Sequence, residues 1–168
     1  MELSIFLIIF TSFIGVLIWG AIRTFHTSYA VSKIFNNIQF GNEEQLIRIS
    51  TVLVNDKHGN KRKGLFVYGS KPTLRGQGDN IWTYPLSDQE IQDTINKLES
   101  AAPYSIKWGD KTSVVFNVAH SSKKATLCFN RLWIVKVEFS AELHDGSLGH
   151  LLKSFKHLQG EHKKIVTS

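Results

Sequence analysis

The feature that most constrains this chain is its apolar N-terminal segment, MELSIFLIIFTSFIGVLIWGAIRTFH. From Leu3 to Ile22 no residue is charged, and a helix of that length would extend about 30 Å, the thickness of the hydrocarbon core of a bilayer. Trp19 and Gly20 make a poor cleavage site for a secretory signal. The segment therefore predicts a retained transmembrane anchor over residues 1–22, with a signal cleaved after Ala30 as the alternative.

Charges beside this segment predict its orientation. Arg23 and Lys33 follow the apolar run, and no Lys or Arg precedes it. Because basic flanking residues tend to stay in the cytoplasm, the pattern predicts an outside N-terminus and a cytoplasmic C-terminal domain, at a bacterial inner membrane. Small residues that allow another helix to approach fall near one face of the predicted span, which indicates a protein partner there: Ser4, Thr11 and Gly15.

The remaining chain divides into three predicted parts. Apolar residues four apart, at Ala30, Ile34 and Ile38, predict that the helix continues as a juxtamembrane stalk over residues 23–41, which Gly41 ends. Residues 42–160 are long enough for one domain with its own core. Residues 161–168 are a short basic tail.

Strand patterns and helix patterns alternate within that domain. QLIRISTVLVN and KGLFVYGS flank the turn residues of DKHGNKR and predict a hairpin, and NIWTYP predicts a third strand. Ser87 and Glu90 then form the capping box of an amphipathic helix that Pro103 ends. In the second half, TSVVFNVA, KATLCFN and RLWIVKVEFS predict three strands, and GSLGHLLKSFKHLQG predicts a second amphipathic helix.

The predicted fold class is therefore α+β: an N-terminal single transmembrane helix, followed by one soluble domain with an antiparallel sheet and two amphipathic helices. Each half of the domain has the order of strands followed by a helix, which raises an internal duplication as a hypothesis. The two halves show no residue-by-residue similarity in support of it.

The patterns typical of catalytic and metal sites do not form complete sets in this sequence. His150 and His157 are seven apart, whereas metal-binding helices usually place their ligands four apart. Cys128 lies within a predicted strand, where a buried and unreactive thiol is expected. RGQGDN lacks the Lys-Ser/Thr of a phosphate-binding loop and predicts a flexible loop. The candidate carboxylates are scattered along the chain: Asp79, Asp110 and Glu138. We therefore predict no enzyme activity, no cofactor and no metal.

Basic residues are the most informative polar feature. The chain has 20 Lys and Arg against 14 Asp and Glu, a balance that favours acidic partners. Six of these residues occur between Lys57 and Arg75 without an intervening acid, and the last predicted helix adds two more. The predicted contact residues for a membrane surface, an anionic lipid or a protein partner are Lys57, Lys61, Arg62, Lys63, Lys71, Arg75, Lys153 and Lys156. Nucleic acid is disfavoured because no recognised binding motif is present.

These observations together predict a single-pass membrane protein that acts without catalysis. It would be an accessory or regulatory protein that works by protein or anionic-lipid contact. Two alternatives stay open at this point: a membrane-tethered immunity or exclusion protein that neutralises a toxin or an incoming element, and a membrane-associated hydrolase or transferase.

Overall fold

The computed structural model describes residues 14, 29–56, 58–74, 76–100, 103–110, 112–119, 123–131 and 135–161. Eight strands and two helices follow one another in the described range from residue 29 onward. They are β1 (Ala30–Gly41), β2 (Leu46–Asn55), β3 (Lys61–Thr73), β4 (Gly76–Pro85), α1 (Asp88–Glu99), β5 (Tyr104–Trp108), β6 (Ser113–Ala119), β7 (Lys124–Arg131), β8 (Val135–Glu142) and α2 (Ser147–Gly160).

The strands form two antiparallel sheets, each with its strands in chain order. Sheet A consists of β1, β2, β3 and β4, and sheet B consists of β5, β6, β7 and β8. A helix follows each sheet, so the two halves share one order of elements, as the sequence predicted. Neighbouring strands joined by short turns explain this arrangement, because an antiparallel pair needs only a hairpin connection.

One face of each sheet contributes to a common core with the two helices. Alternate residues of the strands point to the same face of a sheet, and most apolar residues on the inner faces are buried or partly buried in this core. Helices α1 and α2 pack against each other and cover the core, and the Nε2 of Gln159 donates to the Oε1 of Gln92 at 2.5 Å. Both sheets and both helices contribute large side chains to the core, including Phe40, Ile49, Leu65, Ile91, Trp108, Phe116, Leu127, Phe139, Leu151 and Phe155.

Trp108 lies where sheet B, α1 and α2 meet. Its ring stacks between Phe116 of β6 and Phe155 of α2, with centroids 6.2 Å away on each side. Its Nε1 donates a hydrogen bond of 2.9 Å to the Oγ1 of Thr94 in α1. The indole therefore joins sheet B to both helices and leaves no unsatisfied donor of its own in the core.

The two sheets approach each other closely where β3 crosses β8. A Cβ atom at Gly69 would lie only 2.7 Å from the Cδ2 of Phe139. Beside this crossing, the ammonium of Lys71 donates to the carbonyl oxygen of Glu138 at 2.7 Å and lies 5.3 Å from the centroid of the Phe139 ring. Glycine is required at position 69 because the phenyl ring occupies the space that a side chain would need.

The structure contradicts the predicted single-pass membrane protein. Among the described residues, no helix is long and apolar enough to cross a bilayer. The predicted span from Leu3 to Ile22, with the contact residues Ser4, Thr11 and Gly15, lies outside the described residues except for Ile14. The fold class with a transmembrane helix and the membrane location are corrected accordingly, and neither supports the proposals below.

The predicted juxtamembrane helix is also wrong, since residues 30–41 form β1. The reason lies in the spacing of Ala30, Ile34 and Ile38, because residues four apart share a face of a strand as well as a face of a helix. Pairing with β2 decides in favour of the strand. Two register irregularities, near Val31 and near Phe35, interrupt the strict alternation that would have indicated a strand in the sequence.

The structure differs from the predicted single sheet in three further respects. The short β5 was not predicted, although YSIKW alternates apolar and polar residues in the manner of a half-buried strand. RGQGDN was predicted as a loop, but from Gly76 onward it belongs to β4 and pairs with the end of β3. The strands of the two halves form two separate sheets, a division that strand patterns alone cannot reveal.

Both amphipathic helices of the domain are confirmed. Ser87 caps α1, accepting a hydrogen bond of 3.2 Å from the backbone of Glu90, whose carboxylate accepts one of 2.9 Å from the backbone of Ser87. The predicted apolar side of α2 faces the core, with Leu151, Phe155 and Leu158 buried. Gly146 precedes the first turn of α2, and no side chain caps this helix.

The crossing of β3 and β8 gives a test of the fold. We expect Gly69→Ala to lower the free energy of unfolding by about 1 to 3 kcal/mol, because overpacking forces Phe139 or the backbone to move. Gly149→Ala in α2 is the matched control, since nothing lies within 4 Å of its added Cβ and alanine favours a helix by up to about 1 kcal/mol. Chemical denaturation measures both variants. Equal stability of Gly69→Ala and the unchanged protein would contradict the described sheet packing.

Candidate interaction surface

The face of sheet A that points away from the core exposes several large apolar side chains. Strand register places Gln39, Arg48, Tyr68 and Ile81 side by side in one row, alternating with the buried inner-face residues. Apolar side chains of this outer face of sheet A are well exposed, with 59% for Ile34, 53% for Ile81 and 38% for Val31. The outer face comprises Val31, Ile34, Asn37, Gln39, Leu46, Arg48, Ser50, Val52, Val54, Arg62, Gly64, Phe66, Tyr68, Ser70, Asp79, Ile81, Thr83 and Pro85.

The corresponding face of sheet B has a different composition. The outer face of sheet B consists of the row Ser105, Asn117, Thr126 and Ser140, the row Lys107, Val115, Cys128 and Glu138, and the flanking Lys124, Lys136 and Glu142. Most of these side chains are polar, as expected for a sheet face in contact with water. The two sheets have the same strand order, so the apolar outer face of sheet A is a property of its residues and not of the architecture.

One end of the outer face of sheet A is closed by the shape of the sheet itself. Val52 and Val54 are fully buried although they lie on this face. A Cβ atom at Gly64 would lie 2.9 Å from the Cγ1 of Val54 and 2.8 Å from the carbonyl oxygen of Tyr84. β2 and β4 therefore approach each other across Gly64. Ser50 and Thr83 of the next row are also buried, which leaves the row of Arg48, Tyr68 and Ile81, with the partly exposed Phe66 beside it, as the open centre of the face.

Arg48 lies in that open centre. Its guanidinium carbon is 5.8 Å from the centroid of the Tyr68 ring, a cation–π contact between neighbours in adjacent strands. The Nε of Arg48 is buried and has no hydrogen-bond partner in the described part of the protein. A buried donor without an acceptor costs free energy, so this group gains from any ligand that supplies one.

The basic residues predicted to make contact do not form one surface. Lys61 and Arg62 are exposed at the start of β3, and Lys153 is exposed on α2. Lys156, also on α2, forms an ion pair of 2.5 Å with Glu99 of α1, and Lys71 lies at the crossing of the two sheets. Lys57 and Arg75 are outside the described residues. Whether any of them contacts a partner stays a prediction.

Lys63 has a structural role that the sequence did not indicate. Its side chain is only 8% exposed, and its ammonium lies 2.9 Å from a carboxylate oxygen of Asp88 and 3.5 Å from the carbonyl oxygen of Gln159. It therefore links β3 to the start of α1 and to the end of α2. At the end of α2 a cation interacts favourably with the helix dipole. The sequence predicted Lys63 as a contact residue at the start of a strand, but β3 begins at Lys61, and position 63 lies on the inner face with Leu65.

The candidate chemical groups lie apart from one another. Cys128 is buried, as predicted, and burial raises the pKa of its thiol, with a further contribution from the Glu138 carboxylate. His150 and His157 are exposed, and the ring of His157 contacts Phe35 edge-on with centroids 5.5 Å apart. The described residues contain no group of three His, Cys, Asp or Glu that could hold a metal ion.

The charged side chains of one cavity beside α1 serve structural contacts. One of about 310 Å³ lies between α1 and β5, and its lining includes Glu90 and Lys97. One oxygen of the Glu90 carboxylate accepts from Ser87, and the other accepts from the backbone N–H of Gly109 at 3.2 Å. Lys97 donates to the carbonyl oxygen of Ser105. Glu90 and Lys97 are therefore both engaged in holding α1 against the edge of sheet B.

The sequence contained a signal for the outer face of sheet A that a search for simple alternation does not detect. In β2 and β3 adjacent positions, which point to opposite faces of a strand, are both apolar, for example Val52 and Leu53, or Leu65 and Phe66. A strand with apolar residues on both faces is typical of a sheet covered on both sides. Assigning the second side to a surface required the register of four strands, which only the structure provides.

The link made by Lys63 can be tested by substitution. We expect Lys63→Gln to lower the free energy of unfolding by about 1 to 2 kcal/mol, because the charge-assisted hydrogen bond from Lys63 to the Asp88 carboxylate is lost. Lys63→Met, which keeps the apolar stem, should cost less. Lys61→Gln is the control, with a change within about 0.5 kcal/mol expected for an exposed position. Denaturant unfolding that shows Lys63→Gln and Lys61→Gln to be equally stable would contradict the described contacts.

Comparison with known proteins assigns this chain to no family. No protein-family model matches the sequence, and no curated protein matches it significantly. The proposals that follow therefore depend on the described residues: the contrast between the two outer faces, the environment of Arg48, and the engagement of the charged groups in the core and its cavities.

Proposed function

We propose that this protein acts without catalysis, as an accessory or regulatory protein that binds another protein through the outer face of sheet A. The observation that carries the proposal is the contrast between the two outer faces. Sheets A and B have the same strand order, but among the described residues the outer face of sheet A exposes Val31, Ile34 and Ile81, and Ile81 lies beside the partly exposed Tyr68.

The composition of this face supports a protein as the ligand. Aromatic residues and arginine are enriched at the centres of protein interfaces, and Phe66, Tyr68 and Arg48 occupy neighbouring rows in the middle of the face. Contiguous apolar patches on a protein surface commonly mark interaction sites. Isolated apolar residues would need no such explanation, but these share one face across all four strands.

The chemistry of the described residues favours binding over catalysis. General acid–base catalysis needs titratable groups within hydrogen-bond distance of a shared substrate position. Asp79 lies on the outer face of sheet A, Glu138 lies on that of sheet B, and Asp110 follows β5. The three candidate carboxylates are therefore on three different parts of the fold. The hydrolase or transferase alternative therefore gains no support from this arrangement.

Two other expectations stay predictions. A protein that neutralises a toxin or an incoming element would also act by contact, and the outer face of sheet A could serve that purpose equally well. An anionic lipid would be expected to bind clustered lysines and arginines, but of the exposed residues Lys61, Arg62 and Lys153 only Arg62 lies on the outer face of sheet A, so these residues form no cluster there. A protein partner fits the described geometry better than a lipid.

Site-specific photocrosslinking tests the proposal. A photoreactive phenylalanine analogue is placed at Ile34 or at Ile81 of the full chain, which is then irradiated in cells. We expect both positions to give a discrete adduct with the same protein, identified by mass spectrometry, because both side chains project from one face. The adduct should disappear when Phe66→Asp is added, since a charge at the centre of the face opposes apolar contact.

Matched controls carry the same analogue at Thr126 and Ser140 on the outer face of sheet B. These positions should give no discrete adduct. The proposal fails if Ile34 and Ile81 give no adduct, or if the two outer faces crosslink equally well to the same proteins.

A further inference from the structure

We propose that Arg48 is the anchor of this surface and that it binds a carboxylate of the partner protein. The inference rests on the proposed function and adds the chemistry of the partner: an apolar protein surface that carries an aspartate or glutamate. It assigns the outer face of sheet A a specific contact, which apolar burial alone would not provide.

Arg48 lacks an acceptor among the described residues. Its buried Nε has no hydrogen-bond partner, and none of the ion pairs in this part of the chain includes the guanidinium. Its guanidinium instead lies over the ring of Tyr68. Arginine has five N–H donors in a planar arrangement that matches the two oxygens of a carboxylate, so a carboxylate is the group that best satisfies it.

The surroundings of Arg48 favour a charge pair that is shielded from water. Tyr68 and Ile81 follow it in its own row, and Phe66 lies in the next row. A partner seated on these side chains would exclude water from the guanidinium, and charge pairs strengthen as water is excluded. Anchoring residues of protein interfaces are commonly aromatic or arginine side chains in such a setting.

Charge complementarity also favours an acidic partner. In the described part of this face, Arg48 and Arg62 are basic and Asp79 alone is acidic. The whole chain has a formal net charge of +6. An acidic partner is therefore attracted at a distance and finds an unpaired cation at the contact.

Nucleic acid is the other class of ligand that an arginine stacked on tyrosine could bind, because bases stack on such groups. The exposed Val31, Ile34 and Ile81 argue against it, since aliphatic side chains provide neither a stacking surface nor a contact for phosphate. In the described part of this face Arg48 is joined by one other basic residue, Arg62, and two arginines do not line a groove for a phosphate backbone.

A peptide library tests this contact even though the partner is unidentified. The full chain is panned against a phage library of random twelve-residue peptides, and only peptides whose binding is lost with Ile81→Asp are kept. We expect the retained peptides to share an aspartate or glutamate beside apolar residues. Fluorescence anisotropy then measures the binding of one such peptide and of its Glu→Gln or Asp→Asn form to the protein and its variants.

Arg48→Gln and the change of the peptide's carboxylate should each weaken binding roughly tenfold or more, and the two together no further than either alone. Arg48→Lys should restore only part of the affinity because lysine lacks the planar fork. Lys136→Gln on the outer face of sheet B is the control and should leave the affinity unchanged. The modified peptide tests the same contact with the protein unaltered, so misfolding of a variant cannot imitate the result.

The remaining outcomes decide between the two proposals. Retained peptides without an acidic residue, or binding that is insensitive to Arg48→Gln, overturn the inference but leave the proposed function standing. If no peptide depends on Ile81, the inference fails, and the crosslinking experiment decides the proposed function separately. Binding of a twenty-nucleotide oligothymidine that is lost with Arg48→Gln would assign the face to nucleic acid and overturn both.

Discussion

The close contact between Gly69 of β3 and Phe139 of β8 is the constraint on which the rest of the structure depends. It lets the two sheets meet without an intervening side chain and commits one face of each sheet to the core. Once Phe139 occupies that position, β2 and β3 must direct Ile47, Ile49, Leu65 and Val67 inward. The alternate residues of the same strands are then left on the outer face of sheet A, because a strand cannot turn a side chain without shifting its register.

Local pattern was enough to predict the elements whose signals are short-range. The hairpin of β2 and β3, the capping box of Ser87 and Glu90, and the apolar side of α2 follow from residues close in sequence. β1 could not be predicted, because a spacing of four residues fits a helix and a strand equally well. Its pairing with β2 is a contact across the turn at Gly41, which outweighs local preference. The predicted membrane anchor depended on hydropathy alone, and no described helix supports it.

The candidate site was harder to predict than the fold. Six basic residues between Lys57 and Arg75 drew attention to charge, but Lys63 and Lys71 are engaged in linking elements, and neither belongs to the outer face of sheet A. Arg48, which lies outside that stretch, has the environment of a binding residue because of Tyr68, a neighbour twenty positions away along the chain. Functional surfaces on sheets combine residues from several strands, so their composition becomes visible only when the register is known.

We propose that the outer face of sheet A is covered by a protein in the cell and that the outer face of sheet B is not. Hydroxyl-radical footprinting of the full chain, in cells and after purification, measures this directly. We predict that Phe66, Tyr68 and Ile81 are oxidised more slowly in cells than in the purified protein, whereas Val115 on the outer face of sheet B reacts equally in both. Equal oxidation of the sheet A residues in cells and in purified protein, or protection confined to sheet B, would contradict the account.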